Sequence, residues 1–97
     1  MKQTESPEIS VRHNPAENRF EALVDGHLAV VEYRYDGGRL VFTHTFVPPE
    51  LRGRGVAERL VRAALEWARA EGKSIVPLCS YVAAFVRRHA EFQTLVD

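Results

Sequence analysis

Apolar and polar residues alternate along the chain from Ile9 to Val47 and then recur at a spacing of four, so the sequence divides near Pro48 into a strand-rich half and a helical half. The alternation predicts strands near Ile9 to His13, Arg19 to Val24, His27 to Tyr35 and Arg39 to Val47. Asp25-Gly26 and Asp36-Gly37-Gly38 separate the later strands, and glycine accepts the positive φ that a tight hairpin requires. Asn14-Pro15-Ala16-Glu17-Asn18 makes a longer turn. In the second half Val56, Leu60, Ala64 and Ala68 are joined by Ala57, Val61 and Leu65. Glu58, Arg59, Arg62, Glu66 and Arg69 lie mostly opposite, which predicts an amphipathic helix from about Arg54 to Ala70.

Gly72 is available as the left-handed cap of that helix. Ser74 to Leu78 suits a short buried strand whose Pro77 favours its edge or end. Ser80 is placed to cap a last helix, with Tyr81, Val82, Phe85 and Val86 on its buried side and Arg87-Arg88-His89 in its final turn. The predicted order is β-β-β-β-α-β-α. A strand, helix and strand in sequence make a right-handed crossover, so the fifth strand should lie parallel to the fourth. The fold class is therefore α/β (α+β): a mixed, mostly antiparallel five-stranded sheet covered by two helices. The 97 residues have room for one domain, expected over residues 9–97 behind a polar, flexible start at residues 1–8.

Composition narrows the functional classes. Lysine plus arginine and aspartate plus glutamate balance at 13 each, so no overall field draws the chain to nucleic acid or an anionic membrane. The single cysteine, Cys79, excludes an intrachain disulfide and a site of several thiolates. No apolar run approaches the roughly 20 residues of a membrane span, and the start lacks the apolar stretch of a signal peptide. A cytoplasmic protein, monomeric or weakly dimeric, is the expectation. His13, His27 and His89 have no metal-ligand spacing with one another or with Cys79, so no metal site is expected.

The chemistry is concentrated where the fourth strand meets the long helix, in Arg52-Gly53-Arg54-Gly55-Val56-Ala57. Gly53 and Gly55 permit a turn whose backbone N–H groups converge, and the helix start adds unpaired donors and about half a positive charge. Such a turn suits a phosphate or pyrophosphate, with Arg52 and Arg54 as further donors; a glycine-bearing loop before an ordinary surface helix with solvated arginines is the other reading. A Walker loop would need Gly-Lys-Ser or Gly-Lys-Thr, and the dinucleotide fingerprint would need glycine at position 58, where Glu58 stands. Neither nucleotide motif is present.

With Val47-Pro48-Pro49-Glu50-Leu51 before it, this loop resembles the pyrophosphate loop of the GNAT acetyltransferase superfamily. The resemblance continues through Val76-Pro77-Leu78-Cys79-Ser80-Tyr81-Val82 and Phe85-Val86-Arg87-Arg88-His89, which is similar to the small stand-alone GNAT-like proteins. It implies acetyl-CoA (coenzyme A) as cofactor. The fourth and fifth strands would splay around the pantetheine arm, the backbone of Phe46 and Val47 would bond to that arm, and residues Arg52 to Ala57 would hold the pyrophosphate. The resemblance would also place Arg87 and Arg88 near the coenzyme, while a solvated helix end is their other reading. The implied activity is N-acetyl transfer to an amine of unknown identity, a small amine, polyamine or protein lysine.

Acetyl transfer needs a neutral nucleophile, a polarised thioester carbonyl and a proton for the departing thiolate. His44, on the fourth strand, is the first candidate base, since imidazole takes a proton near neutral pH; a histidine satisfied within the sheet is the other reading. Cys79 precedes a helix start whose dipole favours a thiolate, so it can accept the acetyl group or donate a proton to coenzyme sulfur; a small buried hydrophobe is the alternative. Tyr81 is a further candidate acid, and an aromatic packed into the core is its other reading. Phe46 departs from the pattern of the small branch, where glutamate commonly follows the His-Thr pair, and so a carboxylate base is missing. That departure keeps open a second function, a non-catalytic acyl-CoA-binding or sensing module that acts through a protein partner.

Overall fold

The computed structural model describes residues 9–97, and the flexible segment expected at residues 1–8 lies outside the described residues. Five strands form one sheet in the order of the chain: β1 Val11–Asn14, β2 Arg19–Val24, β3 His27–Asp36, β4 Arg39–Phe46 and β5 Ser74–Pro77. The first four pair antiparallel, and β5 runs parallel to β4 after the crossover through α1, Val56–Ala70. The second α-helix, α2, spans Ser80–Arg88. Three 3₁₀ segments, Pro15–Glu17, Pro49–Leu51 and Ala90–Leu95, complete the elements.

The turns follow their chemistry. Asp25 and Gly26 both take positive φ, 52° and 79°, as do Gly37 and Gly38, which is the twist that matches a two-residue hairpin to its strands. The helix boundaries differ from the sequence reading at their starts. α1 begins at Val56 because Gly55, in the left-handed region, is its N-cap residue, so Arg54 stands in the turn. Cys79 rather than Ser80 is the N-cap residue of α2, with Ser80 already helical. The 3₁₀ helix Ala90–Leu95 is an addition to the predicted order. Its Phe92 is fully buried and joins Phe85 of α2 at 6.0 Å, so an isolated aromatic in a polar stretch anchors the end of the described chain.

One face of the sheet carries the core. Phe20, Ala22, Ala29, Val31, Tyr33, Leu40, Phe42 and Ile75 project from alternate strand positions against Val56, Leu60, Val61, Ala64, Leu65 and Ala68 of α1 and Val82, Phe85 and Val86 of α2. The opposite face bears no helix among the described residues. Its rows, read across β1 to β4, are Asn14, Arg19, Glu32 and His44, then Arg12, Glu21, Val30 and Phe46, with Leu23 and Leu28 paired beyond them. In that face Glu21 is buried and accepts from Arg12 Nη2 at 2.6 Å, Asn14 Nδ2 at 2.8 Å and Arg19 Nε at 2.7 Å.

Hydrogen bonds from Asn14 and Arg19 outweigh burial and, with Arg12, hold the Glu21 carboxyl down to about 2. Because the folded value lies below the unfolded one, this stabilisation is complete above the unfolded value of 4.5 and is lost as pH falls toward 2. Denaturant unfolding at pH 5 and pH 3 should show a loss of stability that Glu21→Gln largely removes. An identical loss in the variant would assign the acid sensitivity to other groups.

Candidate active site

The site is made by an interruption in two strand pairings. Between β3 and β4 the register runs Glu32 with His44 and then Tyr33 with Phe42, leaving Thr43 as an extra residue in β4. Strict alternation from Leu40 and Phe42 would keep His44 and Phe46 on the core face. The bulge reverses that parity. Thr45, opposite Val31, therefore faces the helices, while His44 and Phe46, opposite Glu32 and Val30, face the uncovered side.

Between β4 and β5 the pairing stops at Phe42 and Pro77. Beyond it Cys79 N donates to Phe42 O at 2.8 Å, and α2 begins, so the edge of β4 from Thr43 to Phe46 has no β5 partner. A cavity of about 510 Å³ opens along this edge and runs to the start of α1, lined by Thr45, Phe46, Val47, Leu51, Arg52, Gly53, Gly55, Val56, Ala57, Glu58 and Tyr81. Its size is that of an ordinary ligand site.

The floor of the cavity is the glycine turn. Gly53 and Gly55 take φ of 79° and 78°, and a Cβ at either would meet open space, so their backbone conformation rather than crowding requires glycine. Arg59 is the first residue of this stretch whose N–H finds a backbone acceptor, Gly55 O at 3.2 Å. Among the described residues the N–H groups of Val56, Ala57 and Glu58 thus have no backbone partner and are available to an anion. Arg52 Nε donates to Val47 O at 3.1 Å, which ties the turn to the end of β4. Arg54 points elsewhere, its Nη1 pairing with Asp25 Oδ2 of the β2–β3 turn at 3.1 Å.

Of the residues singled out from sequence, Phe46, Val47, Arg52, Gly53, Gly55, Val56 and Ala57 come together at the cavity. Arg54 borders it without lining it. Arg87 and Arg88 are exposed in the last turn of α2, at the opposite end of that helix from Cys79, and do not line it either. Cys79 is half-buried, with its Sγ 3.4 Å from Thr45 Oγ1. Burial raises the thiol's pKa, but the Thr45 hydroxyl and the nearby N–H groups of Val82 and Tyr81 favour the thiolate more, and the net shift is downward. His44 stands on the other face of the sheet, so His44 and Cys79 approach the gap from opposite sides and do not form a pair. Thr45 is the addition that matters, and Tyr81, already a candidate acid from the sequence, lines the cavity. Thr45 was hidden because only the bulge turns it toward Cys79, whereas Tyr81 carried a signal in its place one residue into the helix after Ser80.

The sequence profile described as GCN5-related N-acetyl-transferase matches residues 19–95. The chain belongs to the GCN5-related N-acetyltransferase family. This GCN5-related chain is 36% identical over 84 residues to Protein NATD1 of Bos taurus, across 84% of the chain and 74% of that relative. It is 34% identical over 84 residues to Protein NATD1 of Mus musculus, across 84% of the chain and 76% of the relative. The NMR solution structure of a GCN5-like protein from Staphylococcus aureus superposes with a TM-score of 0.73 at 28% identity, covering 92% of this chain and 88% of that one. The five-stranded, mostly antiparallel sheet with its helices is thus a GCN5-related fold.

Proposed function

We propose that the chain binds acetyl-CoA in the cavity between β4 and the start of α1 and transfers the acetyl group to an amine. The observation that carries this reading is the continuity of one 510 Å³ cavity from the unpaired edge of β4 to the glycine turn. An extended amide-bearing arm fits the first, because a free strand edge offers alternating N–H and C=O groups. A pyrophosphate fits the second, where Val56, Ala57 and Glu58 present free N–H groups at the positive end of a 15-residue helix. Family membership supports the same cofactor.

In this reading Phe46 and Val47 align the thioester by their backbone, and Arg52 and the turn hold the diphosphate. Two routes for the acetyl group follow from the two faces. On the helix side, Cys79 sulfur attacks the thioester carbonyl. Its bond to carbon forms as the coenzyme C–S bond breaks, and the thiol proton passes to the leaving sulfur; an amine then displaces Cys79. On the uncovered side, an amine attacks directly with His44 as base.

Melting with and without acetyl-CoA, with ATP and NAD at equal concentration as controls, tests the cofactor. A ligand at 100 times its Kd adds about 2.7 kcal/mol, a rise of several degrees for so small a domain. No rise at millimolar acetyl-CoA would end this reading. Intact mass after incubation with acetyl-CoA alone then separates the routes: the Cys79 route gives an acetylated chain that Cys79→Ala abolishes, and direct transfer leaves the chain unmodified. Phe46, 44% exposed where a carboxylate base would serve, favours a second reading as a non-catalytic acyl-CoA-binding module. Binding without turnover on any amine is its signature.

A further inference from the structure

We propose that the acceptor is a primary amine bearing an apolar group, and that Glu32 is the residue that binds its ammonium on the uncovered face of the sheet. This inference rests on the acetyl-transfer reading above. In direct transfer the coenzyme arm occupies the cavity on the helix side of the β4–β5 gap, which Thr45, Val56 and Tyr81 line, so a second substrate reaches a thioester on β4 from the uncovered side. Two acidic side chains lie in the central rows of that side. Glu21 is committed to Arg12, Asn14 and Arg19. Glu32 is half-buried, and among the described residues its side chain has no hydrogen bond or ion pair, although Arg19 and His44 are its neighbours on the adjoining strands. Arg19 is itself bound to Glu21. Among the described residues the central rows of this face therefore hold one carboxylate with its capacity unspent, directly opposite His44.

Residues paired across strands hold their Cβ atoms about 5 Å apart, so Glu32 and His44 can flank one ammonium group. The next row supplies Val30 and Phe46, and Phe46 also lines the coenzyme cavity. Positions two apart on a strand are separated by roughly 7 Å, so a group bound by Glu32 and His44 lies beside the apolar surface of Phe46. Leu28 and Leu23, exposed by 39% and 67%, extend that surface. A cation with an apolar arm matches this arrangement, and a diamine does not. Of the ammonium's three protons, one passes to His44 and on to water, one ends on the departing sulfur, and one stays on the new amide. The nitrogen–carbon bond forms as the thioester C–S bond breaks.

The test uses the full chain, acetyl-CoA and two probes, 2-phenylethylamine and putrescine, with coenzyme release as readout. Glu32→Gln is expected to raise the KM for 2-phenylethylamine about tenfold while leaving kcat within about threefold, and Glu32→Asp to recover part of the loss. Affinity for acetyl-CoA stays unchanged in both variants. Putrescine is used with a kcat/KM below about a tenth of that for 2-phenylethylamine. Equal KM values in Glu32→Gln and the parent, equal use of the two amines, or no transfer by a chain that binds acetyl-CoA would each overturn the proposal while leaving the cofactor reading intact. Failure to bind acetyl-CoA would instead overturn the reading beneath it.

Discussion

Gly55→Asp is expected to weaken acetyl-CoA binding by at least about 100-fold, equivalent to about 2.7 kcal/mol, measured by titration calorimetry or by loss of the ligand-induced rise in Tm. Two effects add. Gly55 holds φ at 78° as the N-cap residue of α1, a conformation that costs a side chain about 1–2 kcal/mol. The new carboxylate also stands at the cavity where free N–H groups would meet a pyrophosphate. Gly55→Asn separates the two, since asparagine and aspartate tolerate the left-handed region alike and only aspartate carries a charge. It should bind within about tenfold of the parent. Undiminished affinity in Gly55→Asp would remove the turn from the coenzyme site.

Phe42→Ala should destabilise the fold by about 3–5 kcal/mol and lower Tm by roughly 15–30 °C, read from denaturant and thermal unfolding. Phe42 is fully buried, meets Tyr33 edge-on at 6.1 Å, and occupies the last register position that β4 shares with β5. Its carbonyl also receives the N–H of Cys79, so a collapse there shifts the start of α2 as well as the core. By contrast Phe46→Ala, four residues along the same strand and 44% exposed, should cost under about 1 kcal/mol. If the two variants unfold alike, the division of β4 into a core half and a ligand half is wrong.

The sequence by itself determined the elements and the loop. Period two up to Val47, period four from Val56, and glycines at the hairpins dictate four antiparallel strands and an amphipathic helix, because burial of one face leaves no other arrangement. The crossover rule then sets β5 beside β4 in parallel. Arg52-Gly53-Arg54-Gly55 was legible for a local reason, since positive φ at alternate positions and unpaired N–H groups at a helix start are properties of the chain within six residues. Only the tertiary structure decided which side chains share the site. Thr43 as an extra residue in β4 turns Thr45 toward Cys79 and His44 away from it, and a one-residue bulge has no signature in alternation that both Thr-His-Thr registers satisfy. Arg54 pairs with Asp25 across 29 positions, and Arg87 and Arg88 end a helix that begins at the site and leads away from it. Such placements depend on where strands cease to pair, and that is set by packing between residues far apart in sequence.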